Sequence, residues 1–221
     1  YKTPEKFLKE MIDSVRNQSY ENWELCIGDG SVTEDTVKNV VESYQKKDKR
    51  IKMLCLSENL GIAGNTNAAL SIATGDYIAL LDHDDILAPD ALYEVVKWMN
   101  EHYKDETDVI YTDEDKVRAD LSEYFQPHFK PDYNPDLLCA NNYICHLVVV
   151  KKELADRVGG LRKEFDGAQD HDFLLRITEQ TDRIVHIPKV LYHWRIHKAS
   201  TADNPASKLY AYQAGQKAIS E

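Results

Sequence analysis

What most constrains the fold is a change of hydrophobic period that recurs along the first half of the chain. Phe7, Leu8, Met11, Ile12 and Val15 recur at helical spacing behind Thr3, which can cap, and Pro4, which suits a first turn; they predict a helix to about Asn17. Residues 23–27 then read as a strand, Val37, Val40, Val41 and Tyr44 as a helix face, residues 51–56 as a strand, residues 65–73 as a helix and residues 77–81 as a buried strand. This alternation predicts an α/β chain built on a parallel sheet. In open sheets of this kind ligands bind beyond the carboxyl ends of the strands, so the loops after each strand carry the functional argument.

Three such loops stand out. Gly28-Asp29-Gly30-Ser31 follows the first strand, and Asn59-Leu60-Gly61 follows the second. The third is the sharpest: Asp82, Asp84 and Asp85 crowd into four positions directly after an apolar run. Their mutual repulsion would raise their pKa values unless a cation or strong donors sat among them. The alternative is a capped turn ahead of the helix that Pro89 opens, with Leu92, Val95, Val96 and Met99 on its apolar face.

Farther along, residues 109–112 read as a strand ending at Asp113-Glu114-Asp115, either a solvated loop or a substrate-side group. Residues 118–142 hold Pro127, Pro131 and Pro135 among aromatics and predict an ordered crossing or substrate-side loop, whose tyrosines either stack on sugars or simply pack. A strand over 146–150, a short helix over 151–158 stopped by Gly159-Gly160, and a helix over 167–177 follow. That last helix places Asp170 and Asp172 in its first turn, where the macrodipole favours negative charge. Strands over 183–187 and 190–194 lead to Arg195-Ile196-His197 and a polar tail, and no internal repeat is visible.

Composition sets the class. With 221 residues the chain can bury a substantial core, and we read it as a single domain. Its formal charge of −11 argues against nucleic acid as a partner, since phosphate backbones are met by excess Lys and Arg. The four cysteines show no metal-site spacing; Cys26 and Cys55 lie in strand-like runs and are expected to be buried free thiols in a reducing compartment. No signal peptide and no apolar run near 18 residues is found, so a cytoplasmic location is expected.

In this order, Gly28-Asp-Gly-Ser31, Asn59-x-Gly61, Thr74-Gly-Asp76, Leu81-Asp-His-Asp-Asp85, Tyr111-Thr-Asp-Glu-Asp115, Gln169-Asp-His-Asp172 and His193-Trp-Arg-x-His197 resemble family 2, the inverting glycosyltransferases of GT-A fold. The chain looks most like bacterial rhamnosyltransferases and surface-polysaccharide transferases. The resemblance implies a Rossmann-like, mostly parallel sheet flanked by helices, with a nucleotide-sugar half over about 1–115 and an acceptor and catalytic half over about 116–221. It implies Mg²⁺ or Mn²⁺ held by Asp82 and Asp84, with His197 completing the coordination, and Asp82 also facing the diphosphate. Asp170 would be the general base. Tyr1, Asp29, Asn59 and Gly61 would contact the nucleotide, and Arg195 a phosphate. The implied donor is a UDP- or dTDP-sugar; the implied acceptor is a saccharide or a lipid-linked sugar, which would bring the enzyme to the inner face of the cell membrane without a spanning helix.

The chain departs from the family pattern twice. Gly28 stands where a second acid usually precedes Asp29. Family members also begin with an apolar strand ending in Pro-x-Tyr, whereas this sequence opens at Tyr1, so the first strand is expected to be absent from it.

Two other classes compete. A glycoside hydrolase also uses paired carboxylates, but needs one acid with a raised pKa rather than a metal-like trio. A non-catalytic module binding nucleotide-sugar or a cation would need Asp82 and Asp84 yet not Asp170.

Overall fold

The computed structural model describes residues 1–102, 106–197 and 209–220. The expected alternation is present from the start: α1 (Glu5–Arg16), β1 (Leu25–Asp29), α2 (Thr36–Gln45), β2 (Ile51–Cys55), α3 (Gly61–Ser71) and β3 (Tyr77–Leu80). Beyond it come β4 (Ile86–Leu87), α4 (Ala91–Glu101), β5 (Val109–Arg118), β6 (Tyr124–His128), α5 (Pro135–Ala140), β7 (Val148–Lys151), α6 (Lys152–Arg157), α7 (Gln169–Thr178), β8 (Ile184–Ile196) and α8 (Leu209–Ser220). Of the expected polar tail, residues 198–208 lie outside the described residues, and 209–220 form α8.

The strands form two sheets. β1 and β2 pair in parallel as a two-stranded unit. The larger sheet runs β3-β7-β5-β8-β4, with β6 paired to β5. The α/β class is as expected, but the pairing is mixed. β5 and β8 are parallel from Val109 opposite Ile184 to Arg118 opposite Ile196, whereas β7 lies antiparallel between β3 and β5. The reason is connectivity: after β5 the chain runs through β6 and α5 and enters the sheet from the opposite end, so no crossover helix restores the direction.

Two differences in element bounds have local causes. Strands expected over 183–187 and 190–194 are one strand, β8, because a register shift opposite Thr112 and Asp113 absorbs Pro188, which has no N–H to offer the ladder. The helix expected from residue 65 begins at Gly61, since the Asp166 carboxylate accepts from the N–H groups of Ile62 and Ala63 at 3.3 and 2.8 Å and so caps the earlier turn.

Strand alternation sorts the core onto two faces. Ile110 and Val149 pack with α1, α2 and α4; Val109, Tyr111, Val148 and Val150 pack with Leu138, Phe173, Leu174 and Ile177. Burial is uneven at β3, expected to be buried, because Ala79 is exposed toward a large cavity. The cysteines also differ from expectation: all four are free, but Cys26 is only half-buried and Cys55, at the last position of β2, is exposed. Among the described residues no helix is long and apolar enough to cross a membrane.

Candidate functional site

A cavity of about 1960 Å³ opens between β1 and β3, and the loops singled out in the sequence converge on it. Tyr1, Asp29, Asn59, Gly61, Asp82, Asp84, Asp170 and His197 all line it.

At the end of β1, Asp29 is buried and its Oδ1 accepts from the Ser31 N–H at 2.9 Å, while the Lys2 N–H donates to Ser31 Oγ at 2.8 Å and draws the chain start to the same rim. Gly28 has a steric reason: a Cβ there would lie 2.2 Å from the main-chain oxygen of Asn65, so α3 approaches β1 too closely for any side chain. The acid usually found at that position is therefore excluded by packing. Asn59 Oδ1 accepts from Gly61 N and Asn65 Nδ2, which fixes the turn into α3; Gly61 has φ +84°, a conformation that favours glycine.

The three aspartates after β3 have different surroundings. Asp85 is fully buried, its carboxylate accepting from the Tyr192 hydroxyl at 2.6 Å and from Arg195 N at 2.8 Å. Burial, reinforced by the charges of Asp82 and Asp84, pushes its pKa far up. Asp84 Oδ2 lies 2.8 Å from His197 Nε2, and the His197 ring rests against Phe7. Asp82 keeps an exposed carboxylate whose Oδ2 is 3.8 Å from His146 Nε2. Ligand atoms of Asp82, Asp85 and His146 all lie within 4.8 Å of one another. The two carboxylates are the hard oxygen donors that Mg²⁺ and Mn²⁺ prefer; the His146 imidazole is not such a donor.

Asp170 and Asp172, in one turn of α7, have different surroundings. Asp172 is held by Arg162 and Arg176, which keep its pKa low despite burial. Asp170 faces the cavity; burial, followed by the charge of Asp82, raises its pKa, against the pull of His146 and of the Gln169 amide at 2.7 Å. Burial opposes charge on His146, but Cys145, Asp82 and Asp85 outweigh it and raise its pKa. The His146 ring stacks on Tyr192 at 4.7 Å and meets Trp194 edge-on.

The profile described as glycosyl transferase family 2 matches residues 1–159. The chain belongs to glycosyl transferase family 2. It is 38% identical over 217 residues to the O-antigen biosynthesis protein RfbC of Myxococcus xanthus, covering 98% of this chain but only 17% of RfbC. Among solved structures, S. aureus TarS 1-349 in complex with UDP-GlcNAc superposes with a TM-score of 0.73 at 20% identity, over 95% of this chain and 60% of that one. The mannosyltransferase PcManGT of Pyrobaculum calidifontis, in complex with GDP-Man and Mn²⁺, gives 0.72 at 20% identity, over 99% of this chain and 62% of that one. At these identities the structural likeness establishes the GT-A fold.

Against that family 2 frame, one expected site residue lies elsewhere. Arg195, expected at a phosphate, is fully buried and absent from the cavity wall: its Nε donates to Asp84 O, and its Nη1 donates to Glu10 at 2.5 Å and to Ala119 O at 3.1 Å. Through Nε and Nη1 it ties the loop after β3 to α1. Asp113, Glu114 and Asp115 are likewise neither a solvated loop nor a cavity wall; they lie in β5 and pair with His186, Lys130 and His193. Sequence reasoning missed His146, Tyr192 and the burial of Asp85. A lone His beginning a strand-like run carries no spacing signal, and its partners are supplied from the loop after β3 and from β8.

Proposed function

We propose that this domain transfers a sugar from a nucleoside-diphosphate sugar to a hydroxyl of a saccharide or lipid-linked acceptor, with inversion and with Mg²⁺ or Mn²⁺. The carrying observation is that Asp170 of α7, Asp82 from the loop after β3, and Asp29, Asn59 and Gly61 all line one cavity. Donor-side and acceptor-side chemistry thus share one enclosure, which gives proximity.

In this reading Tyr1, Asp29, Asn59 and Gly61 receive the nucleotide; with the Asn59 oxygen already accepting from Gly61 and Asn65, its amide nitrogen is the group left to donate. Asp82, Asp84 and His197 hold the cation, with Asp85 and His146 beside them. When bound, the ion offsets the charge that develops on the departing diphosphate. Asp170 accepts the proton of the attacking hydroxyl as that oxygen bonds to the anomeric carbon; burial, which raises its pKa, makes it a better base than a surface aspartate.

UDP- or dTDP-sugars are the donors to test first; the UDP-GlcNAc complex of TarS supports the UDP class. The name of RfbC supports a role in surface polysaccharide synthesis. A lipid-linked acceptor would place the domain in the cytoplasm at the inner face of the cell membrane.

The test is release of nucleoside diphosphate from a panel of UDP- and dTDP-sugars, with and without Mn²⁺ or Mg²⁺. Release is expected only with the cation and is expected to fall at least about a hundredfold in Asp170→Asn. Normal turnover by Asp170→Asn would overturn the base assignment, and donor binding without turnover on any acceptor would favour a non-catalytic module.

A further inference from the structure

Lys130 has a fully buried side chain, yet it touches neither cavity nor solvent. Its ammonium donates to Glu114 Oε2 at 3.3 Å, to Ile144 O at 2.7 Å and to His146 O. Glu114 Oε2 in turn accepts from the His146 N–H at 3.2 Å. One ion pair therefore holds three backbone groups of the 144–146 segment, the one that carries His146 to the site. The pair is itself anchored: Glu114 lies in β5, which has partners in β6, β7 and β8, and the Lys130 N–H donates to Asp113 Oδ1 at 2.9 Å.

An apolar pair of the same volume would fill this space at lower desolvation cost, so stability alone does not account for a buried ammonium and carboxylate. What the pair adds is direction, because its atoms fix where the 144–146 backbone runs. From that backbone the His146 ring lies flat on Tyr192, which also binds Asp85, and Nε2 turns toward Asp82. Resting on the transferase reading above, we infer that Lys130 and Glu114 are positioning residues that act on the proposed transfer through His146.

The test combines Lys130→Met with His146→Ala, reading kcat, donor KM and thermal midpoint. Lys130→Met is expected to lower kcat about tenfold with donor KM changed less than about twofold. In the His146→Ala background the same change is expected to alter kcat less than about twofold, because the two act as one unit. An unchanged kcat in Lys130→Met, or an equal fall in both backgrounds, would overturn the inference.

A second readout needs no turnover: the cross-relaxation (NOE) between the His146 and Tyr192 ring protons. It should persist in Glu114→Gln, which keeps an oxygen for the His146 N–H, and vanish in Glu114→Ala; persistence in Glu114→Ala would also overturn the inference. If wild type turned over no donor, the transferase reading would fail while the ring contact still decided the positioning.

Discussion

Asp170 and Asp172 stand two positions apart and differ in everything that decides a carboxylate's role. Asp172 is closed off by two guanidinium groups, so it belongs to the scaffold; Asp170 has an amide and a neighbouring acid, which suits the base role proposed for it. We expect Asp172→Asn to cost about 3 kcal/mol in urea unfolding, because it breaks a buried pairing and leaves two cations under-compensated. Asp170→Asn should match or exceed wild-type stability in the same measurement, since it removes a charge that burial and Asp82 already disfavour. The sequence pointed to Asp170 only through the order of its motifs. What separates it from Asp172, the placement of Arg162 and Arg176, was not legible, because Arg162 comes from the loop before α7, ahead of a 3₁₀ turn at Lys163–Phe165 that lies between them. Lys130 was hidden for a related reason: a lysine in a polar, proline-rich stretch gives no sign that it will be buried against β5.

Among the elements, regular periodicity was read well and non-local control was not. α1, α2, β1 and β2 appeared close to their expected places because each is specified by its own apolar spacing. The early start of α3 was invisible, since its cap, Asp166, lies about a hundred residues downstream. Glu24 is a comparable tie. From the edge of β1 it pairs with Lys52 and accepts from the Thr74 and Gly75 backbone just ahead of β3, linking two strands that share no ladder. Desolvation would raise its pKa, but Lys52, Thr74 and Gly75 overcome that and hold it down at about 2. Because the folded value lies below the unfolded one, the stabilisation is complete above the unfolded pKa and is lost as pH falls from about 4.5 toward 2. Wild type should therefore exceed Glu24→Gln in stability at pH 7 by about 1 kcal/mol after solvent screening, and the gap should close over that window in denaturant titrations at successive pH values.

For the molecule as a whole, the α/β class followed from the alternation, while the division into two sheets did not, because strand order depends on pairings that the apolar pattern leaves open. Among the described residues, β1 is hydrogen-bonded only to β2, and β3 only to β7. In a one-sided ladder, alternate amides of each strand point away from the partner. The smaller sheet should accordingly be the less protected of the two. In native-state deuterium labelling of this chain, amides of β1 and β2 should exchange through openings well below the global unfolding free energy, while those of β5 and β8 should exchange only with global unfolding. Equal protection in both sheets would refute this. Since Asp29 stands at the end of the weaker sheet and Asp170 on a helix packed against the stronger, a ligand spanning the cavity would slow exchange chiefly in β1 and β2, making labelling kinetics a direct reporter of donor engagement before any acceptor is known.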